Sequence, residues 1–387
     1  MGNFTLVNIP DIHFFETDLV FDTIEEELLG KPVVLVYDRN VLKAHPILED
    51  TLSKAFHIVA KRPLREVEPF ADGIEESADA ARAAGSELVI SVGGGSTIDT
   101  AKGVALLVRS ARKLPEDFQT PGDFDTALSH IAIPTTAGPG AEVSPAMVYR
   151  TNRGCKTAVV DSRLIPHSVI IFPQLATSLP PFETACCVFD GICHSIESWL
   201  APRSSYLAKS FAVDALRAFI EDLPRVVARP ANKTIRARLA LASVISSLGL
   251  QSTNTGAAHA LSNVVPPTAK VPHGALVSAM LLALLSDDLS TAEPPDPFVH
   301  LATALNYRTF EALLEHLLLL YQVHMLGGIV DLSIRTDLGS IASRLENTLK
   351  DARLTNHPVS VDFERALRVC TAAIRLLQSR SIDALRD

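Results

Sequence analysis

The sequence contains few cysteines and no cluster of basic residues. Its five cysteines are an odd number and form no C-x-x-C pair, so they predict neither a disulfide framework nor a thiolate zinc knuckle. The 35 Lys and Arg residues are outnumbered by 44 Asp and Glu, and no dense basic run provides the electrostatic footprint of a nucleic-acid-binding protein. We therefore predict no nucleic-acid partner, and buried thiols that stay reduced.

The sequence also has no long hydrophobic segment and no secretory signal pattern near its first residue. The longest apolar runs, such as residues 275–285, are shorter than the roughly 20 residues that a helix needs to cross a bilayer. Residues 1–18, MGNFTLVNIPDIHFFETD, contain no basic segment followed by an apolar stretch. We therefore expect a cytoplasmic protein without a membrane partner.

The composition is that of a globular protein with a large core. Hydrophobic residues make up 47% of the chain and charged residues 20%, which excludes a disordered or fibrous protein. At ~150 residues per domain, the 387 residues predict two or three domains.

The first half of the chain alternates short β-branched runs with helical patterns. Strands are predicted at 32–38, 57–62, 87–92 and 129–134, and helices at 40–55 and 69–84. This rhythm predicts a parallel sheet with helices on both faces, and hence an α/β domain. The polar segment 113–126 predicts a surface loop, and the runs 143–149 and 156–160 predict a hairpin that turns at Asn152, Arg153 and Gly154.

Helical patterns replace strands after about residue 180. They are predicted at 182–200, 207–223, 235–250, 275–285, 310–320, 337–350 and 361–377. Pro202, Pro230, Pro294 and Pro295 lie between them, where helices should stop. We therefore predict an α/β domain at 1–180 and an all-α domain at 181–387.

A glycine-rich turn follows the predicted strand at 87–92. The sequence GGGSTID at 93–99 leads into a helix, and its glycines let backbone N–H groups approach an anion closely. Together with the helix dipole this favours a diphosphate, although the motif matches neither G-x-G-x-x-G nor G-x-x-x-x-G-K-[ST]. The alternative is a turn without a ligand, in which Ser96 or Thr97 caps the helix and Asp99 suits its first turn.

Two further polar positions lie at predicted strand ends. Asp38 ends the strand 32–38, where ligands collect in open parallel sheets, and an acid there can bind an adenosine ribose and repel a 2′-phosphate. It precedes the glycines by about 55 residues, whereas the acid of the usual dinucleotide fingerprint follows them. Thr135 and Thr136, after the strand 129–134, offer further donors to a nucleotide. A solvated turn residue and a plain loop are the respective alternatives.

Four residues of the second half have the types and spacing of metal ligands. Asp190 and His194 are four apart in a helical pattern and so share one face. His259 and His273 flank a proline break at 266–267, where the chain can reverse and aim both imidazoles at one point. Any single histidine is more often a core or surface residue than a metal ligand. One carboxylate with three imidazoles, however, suits Fe(II) or Zn(II) and is typical of a catalytic site.

These segments together resemble the iron-containing (group III) alcohol dehydrogenases, within the superfamily that also contains dehydroquinate synthase and glycerol dehydrogenase. The matching segments are GGGSTIDTAK at 93–102, IPTTAGPGAEV at 133–143, SLPPFETA at 178–185, FDGICHSIES at 189–198, HALSN from His259 and VPHG around His273. The resemblance implies an N-terminal Rossmann-like NAD(P) domain, a C-terminal helical domain and a metal in the cleft between them.

The resemblance also implies roles for individual residues. The metal-binding and catalytic residues would be Asp190, His194, His259 and His273, with Fe(II) favoured over Zn(II). The cofactor-binding residues would be Asp38, Gly94, Gly95, Ser96, Asp99, Thr135, Thr136 and Lys156. In this family an acid at the position of Asp38 accompanies a preference for NAD over NADP, and Lys156 would reach the nicotinamide ribose.

Three positions depart from the family pattern. Asn263 replaces a histidine that commonly faces the nicotinamide, and asparagine cannot relay a proton near neutral pH. Pro139 replaces a threonine after the TTAG turn, which removes a hydroxyl and an N–H, and Phe172 replaces an acid. These departures indicate a specialised member of the family.

The main hypothesis is a metal-dependent, NAD(P)-linked alcohol dehydrogenase or aldehyde reductase. It would transfer hydride between nicotinamide and a small alcohol or aldehyde, including anionic or phosphonate-bearing ones. A cyclase or lyase of the dehydroquinate synthase type is one alternative, although the D-x3-H spacing at Asp190 argues against it. A non-catalytic nucleotide-binding relative is the other, supported by Asn263 and Pro139.

The sequence offers two further expectations about partners. Arg150 and Arg153, in the predicted hairpin, can pair with an anionic substrate or be ordinary exposed turn residues. The apolar helices of the second half make a homodimer the expected assembly.

Overall fold

The computed structural model describes most of the chain as two compact units. The described residues are 8–15, 19–21, 23–64, 69–110, 112–114, 126–152, 156–266, 269, 271–290, 295–328 and 338–385. Most of the predicted loop at 113–126, and Arg153 and Gly154 of the predicted turn, lie outside them. The first unit, here called the sheet unit, ends at Leu179 and also includes Ala231–Ala240. The second, the helical unit, includes Pro180–Pro230 and the chain from Leu241 onward.

The described residues contain eight strands, all of them in the sheet unit. They are β1 (Asp11–Phe14), β2 (Pro32–Asp38), β3 (His57–Leu64), β4 (Leu88–Gly93), β5 (Ser129–Pro134), β6 (Ala146–Arg150), β7 (Lys156–Val160) and β8 (Ser168–Ile171). Six of them form a parallel sheet in the order β1-β8-β5-β4-β2-β3, whereas β6 and β7 pair as an antiparallel hairpin. The first hairpin strand begins at Ala146, later than predicted, because Ala141–Val143 form a 3-10 turn.

Hydrophobic side chains cover both faces of this sheet. Successive residues of a strand point to opposite faces, and β2 accordingly divides its side chains between two cores. Val34 and Val36 belong to the core formed with the helices Ala71–Ala83 and Gly95–Leu107, while Val33 and Leu35 belong to the core that contains Leu52. A strand that is buried on both faces is apolar at nearly every position, so such a strand is easy to predict from the sequence.

Helices surround the sheet and make up the helical unit. They are α1 (Glu26–Leu29), α2 (Arg39–Ala44), α3 (Pro46–Ala55), α4 (Ala71–Ala83), α5 (Gly95–Leu107), α6 (Pro181–Leu200), α7 (Tyr206–Ala228), α8 (Lys233–Thr253), α9 (Ala257–Ser262), α10 (His273–Leu289), α11 (Asp296–Ala304), α12 (Phe310–His324), α13 (Leu338–Thr348) and α14 (Phe363–Ser379). The parallel sheet followed by a helical region confirms the predicted fold class. None of the helices in the described part of the chain is long and apolar enough to cross a membrane.

One predicted helix is wrong. The pattern at 40–55 predicts a single helix, but α2 and α3 are separated at His45, whose backbone has φ −127° and ψ 67°. Pro46 explains the break, because a proline disfavours the α conformation in the residue before it.

Helices α6 and α10 approach each other closely at Gly274. A Cβ atom at this position would lie 2.0 Å from the carbonyl oxygen of Cys186 in α6. Only a glycine therefore fits, and the close approach brings the first residue of α10, His273, next to α6.

A buried ion-pair network holds the other end of α10. Asp288 is fully buried, accepts a hydrogen bond from Arg365 of α14, and lies 2.9 Å from Nε2 of His357. Asp287 accepts a second hydrogen bond from Arg365, at 2.8 Å. Both ends of α10 are thereby fixed within the helical unit.

Candidate metal centre and nucleotide-binding edge

Helix α6 presents Asp190 and His194 on one face, as predicted. The two residues are one turn apart and both are buried, with His194 Nε2 3.7 Å from Asp190 Oδ1. The helix starts with Pro181 at its first turn, where the missing N–H of proline costs no hydrogen bond. Its 20 residues keep both side chains well inside the regular part of the helix.

The other two predicted ligands come from later elements of the helical unit. His259 lies in the short helix α9, and His273 is the first residue of α10, preceded by Pro272 as its N-cap. The ring of His259 stacks on His194 with 4.8 Å between centroids, and meets the ring of His273 edge-on at 5.6 Å. The three imidazoles therefore lie side by side.

Three of the four predicted ligands form a compact set. One side-chain N or O atom from each of Asp190, His259 and His273 lies within 4.8 Å of the other two. His194 is outside that set, although it contacts the Asp190 carboxylate and stacks on His259. The structure thus brings all four residues together, with His194 at the edge.

Two atoms of the set lack hydrogen-bond partners. Asp190 Oδ1 and His259 Nε2 are buried and 3.4 Å apart, and neither has a hydrogen-bond partner among the described residues. Buried polar atoms are normally satisfied, so unpaired atoms that converge on one point call for an explanation. A divalent cation with carboxylate and imidazole ligands fits both the atoms and their chemistry.

The charged side chains of the set shift one another's pKa values. Burial alone would raise the pKa of Asp190, but His194, His273 and His259 outweigh it and hold that pKa well below its usual value. Burial would lower the pKa of His259, but Glu197 and Asp190 raise it to about 9. Asp190, Glu197 and the imidazoles therefore stabilise one another's charges inside the helical unit.

Glu197 belongs to this centre and was missed by the sequence reasoning. It is buried, and its Oε2 lies 2.5 Å from His259 Nδ1. Burial would raise its pKa, but His259 lowers the pKa of Glu197 to about 2. The signal was present in the sequence, because positions 190, 194 and 197 have the i, i+4, i+7 spacing of one helix face.

A second possible cation group, formed by Asp11, Glu25 and His167 in the sheet unit, is exposed. Exposed acidic groups of this kind are common without an ion, and we assign it no role.

The glycine turn lies at the end of β4. Gly94 is the N-cap of α5 and, as a glycine, has no side chain with which to cap the helix. Ser96 and Thr97 lie inside the helix, so the alternative in which one of them is the cap is wrong. A Cβ atom on Gly93 would lie 2.2 Å from Thr97 Oγ1, and one on Gly94 would lie 3.0 Å from Thr136 Cγ2.

The predicted residues on β2 and β5 lie at the same edge of the sheet as this turn. Strands β2, β4 and β5 are parallel neighbours, so Asp38, which ends β2, lies on the same side of the sheet as Gly94 and Thr135, which follow β4 and β5. The N–H of Thr135 donates to the carbonyl of Gly93 at 3.0 Å. Asp38 caps α2 by accepting the N–H of Asn40 with one carboxylate oxygen, at 2.8 Å.

Asp99 is engaged inside the protein. Its carboxylate accepts the N–H of Val148 at 3.0 Å and lies 3.5 Å from Nζ of buried Lys102. Burial raises the pKa of Asp99, while Lys102, Val148 and Lys156 act in the opposite direction. Lys156 itself is exposed and begins β7, opposite Arg150 in the hairpin register.

The three departures from the family pattern have different surroundings. Asn263 is exposed at the end of α9. The Pro139 ring lies 3.7 Å from where a Cβ atom on Gly95 would stand. Phe172 is buried, with its ring 5.6 Å from Phe15 and 5.7 Å from Phe21, so its replacement of an acid fills the core.

Comparison with known proteins identifies the family. The pattern described as "Iron-containing alcohol dehydrogenase" matches residues 11–173, and "Fe-containing alcohol dehydrogenase family, C-terminal" matches residues 184–353. The chain therefore belongs to the iron-containing alcohol dehydrogenase family, which confirms the resemblance predicted from its motifs.

The individual relatives are distant. The chain is 28% identical over 214 residues to sulfoacetaldehyde reductase of Bilophila wadsworthia (strain 3_1_6), covering 55% of each protein. It is 28% identical over 218 residues to the NAD-dependent methanol dehydrogenase of Bacillus methanolicus, covering 56% of this chain and 57% of that protein. The chain thus spans little more than half the length of these curated relatives.

A solved structure resembles almost the whole chain. Sulfoacetaldehyde reductase from Bifidobacterium kashiwanohense in complex with NAD+ superposes with a TM-score of 0.83, over 95% of this chain and 97% of that one. The sequence identity is 22%, so this likeness shows the fold.

Proposed function

We propose that the protein is a metal-dependent, NAD-linked alcohol dehydrogenase or aldehyde reductase. The observation that carries this proposal is the set formed by buried Asp190, buried His259 and half-buried His273, in which Asp190 Oδ1 and His259 Nε2 lack hydrogen-bond partners within the described chain. Family membership supports the same reading. A divalent cation would satisfy both atoms, because carboxylate oxygen and imidazole nitrogen are ligands of Fe(II) and Zn(II).

The proposed metal ligands are Asp190, His194, His259 and His273, with Fe(II) favoured and Zn(II) as the alternative. When bound, the cation supplies a Lewis acid for the substrate oxygen, and the nicotinamide supplies or accepts the hydride. Glu197 holds the His259 side chain at the centre. Asn263 cannot serve as a proton relay, so a substrate proton has to pass through water or another group.

The proposed nucleotide site is the edge formed after β2, β4 and β5. Backbone N–H groups of Gly94, Gly95 and Ser96 would bind the diphosphate at the start of α5. Thr135, Thr136 and Lys156 would contact the rest of the cofactor. Asp38 retains a second carboxylate oxygen for the adenosine ribose, which favours NAD over NADP.

Asp99 would support this site indirectly. Because its carboxylate binds Val148 and faces Lys102, we propose that it fixes the β6–β7 hairpin beside the glycine turn. Lys102 assists by donating to the carbonyls of Ser144 and Ala146, at 2.9 and 2.6 Å.

The substrate is proposed to be a small alcohol or aldehyde, with anionic aldehydes as the first class to test. One curated relative and one solved neighbour are named for a sulfonate-bearing aldehyde, and Arg150 at the hairpin can pair with such a group. We further propose a cytoplasmic homodimer, with domains at 1–180 and 181–387.

Metal analysis combined with a substrate screen tests this proposal. Protein loaded with Fe(II) or Zn(II) would be assayed with NADH and NADPH against neutral, carboxylate, sulfonate and phosphonate aldehydes. We expect one equivalent of metal and stoichiometric NADH oxidation. Turnover without net NADH consumption would favour the cyclase or lyase alternative, and a metal-free, inactive protein would favour a non-catalytic relative.

A further inference from the structure

Glu197 is enclosed by the elements that carry the candidate metal centre. It lies on α6, three residues after His194, and its side chain is 4% exposed. A Cβ atom on Gly256 would stand 3.1 Å from its Cγ, Cδ and Oε1 atoms. The carboxylate is therefore confined against the start of α9.

The carboxylate of Glu197 makes two hydrogen bonds with His259. Its Oε1 accepts the backbone N–H of His259 at 3.1 Å. Its Oε2 lies 2.5 Å from Nδ1 of His259. The same carboxylate thus binds both the backbone and the ring of His259.

This arrangement determines which ring nitrogen of His259 is left for a cation. A carboxylate only accepts hydrogen bonds, so Nδ1 must carry the hydrogen that lies between it and Glu197. Nε2 then faces Asp190 Oδ1, 3.4 Å away, with no hydrogen-bond partner among the described residues. In metal centres a second acceptor of this kind orients the ligating imidazole.

We propose that Glu197 is a positioning residue, which holds the His259 ring and its tautomer so that Nε2 faces the cation. This inference rests on the proposed function, since it presupposes that a cation binds there.

A second carboxylate–imidazole pair in the helical unit provides a matched control. Asp288 and His357 are both buried, with Asp288 Oδ2 2.9 Å from His357 Nε2. Neither is a proposed ligand. Substitution of Asp288 therefore reports what the loss of a buried carboxylate does to stability when no contact with a proposed metal ligand is removed.

The decisive variant is Glu197→Gln, which keeps the size of the side chain. The backbone N–H of His259 requires an oxygen at the Oε1 position, so the amide nitrogen must take the position of Oε2. Its N–H would then face Nδ1 of His259 and favour the tautomer protonated at Nε2, which cannot bind a metal through that atom. Glu197→Ala, by contrast, leaves a cavity but enforces no tautomer.

Titration with Co(II) alone, followed by its visible absorption, measures the effect in wild type, Glu197→Gln, Glu197→Ala and Asp288→Asn. We expect Glu197→Gln to bind Co(II) roughly 10- to 100-fold more weakly than wild type. Glu197→Ala should be the less stable of the two in thermal unfolding, yet should not bind Co(II) more weakly than Glu197→Gln. Asp288→Asn should lose stability and keep the wild-type affinity.

Each result decides between the proposals. Wild-type Co(II) affinity in Glu197→Gln, or a loss in metal affinity that follows thermal stability across all variants, would overturn the positioning role while leaving the proposed function intact. A wild-type protein that binds no Co(II) would instead overturn the proposed function. If Glu197→Gln does not fold, Glu197→Asp, whose shorter side chain withdraws the carboxylate from Nδ1, decides by the same titration.

Discussion

The candidate sites of the two units differ in the kind of groups that form them. In the sheet unit, the proposed nucleotide site consists mainly of backbone at the carboxyl ends of β2, β4 and β5, and parallel pairing alone puts these ends side by side. In the helical unit, the candidate metal centre consists of side chains from α6, α9 and α10, which are far apart in sequence. The first kind of site depends on local turns, whereas the second depends on helix packing.

The largest effect should come from removing one ligand of the helical unit. We expect His273→Ala to abolish tight metal binding and turnover, because His273 is one of three residues whose ligand atoms meet. NADH binding, measured by fluorescence, should persist because the nucleotide site belongs to the other unit. The control is His300→Ala, an exposed histidine of α11. Full turnover by the metal-stripped His273→Ala variant would contradict the proposal that a metal bound by His273 is required for activity.

A larger side chain at the contact between α6 and α10 should disturb the same centre although no proposed metal ligand is replaced. Gly274→Ala would push a Cβ atom to 2.0 Å from the Cys186 carbonyl, and overpacking of this kind costs about 1–3 kcal/mol. We expect a lower free energy of unfolding and weaker metal binding. Gly73→Ala in α4, where a Cβ atom meets nothing within 4 Å, should instead stabilise by about 0.5–1 kcal/mol. Equal effects of the two substitutions would argue against helix packing as the determinant.

Acid should lower the stability of the sheet unit through protonation of His130. Burial, reinforced by the charge of Lys102, lowers the pKa of His130 to about 3, so the unfolded chain binds a proton near pH 6.5 that the folded one does not. The part of the unfolding free energy that depends on neutral His130 is fully present above pH 6.5. It is lost as the pH falls toward 3, by up to about 1.4 kcal/mol per pH unit.

Urea unfolding at pH 7.5 and 5.5 checks this effect. His130→Gln should show a smaller drop in unfolding free energy than wild type, whereas Ser91→Ala, which removes only the hydroxyl partner 2.7 Å from His130 Nε2, should retain the wild-type drop. The same drop in wild type and His130→Gln would contradict the assignment.

The smallest effect should be a change of cofactor preference at Asp38. Asp38→Asn keeps an oxygen to cap α2 but removes the charge that disfavours a 2′-phosphate. We expect the preference for NADH over NADPH in kcat/KM to fall roughly tenfold, which corresponds to about 1.4 kcal/mol. The control is Asp50→Asn, because Asp50 is an exposed acid of α3. An unchanged preference for NADH in Asp38→Asn would show that Asp38 does not contact the cofactor.

Several elements were predictable because their determinants are local. Strands β2 and β4 are continuous apolar runs, and the start of α10 after Pro272 follows from the preference for proline at helix starts. The break at His45 was equally local, yet the amphipathic pattern across 40–55 concealed it. Glu197 lay on the predicted ligand face of α6, but its role depends on a partner 62 residues away.

The sequence by itself determined the fold class, the family and the identity of the four candidate ligands, since periodicity, turn glycines and short motifs act over a few residues. Only the tertiary structure decided which buried carboxylate contacts a proposed metal-binding histidine and which one contacts the backbone of a neighbouring strand. Asp99 and Glu197 are both acids in helical segments, but one binds Val148 and the other His259. That choice is made by the close packing of distant segments, in which the nearest donor to a buried carboxylate is set by the neighbouring element and not by the local sequence.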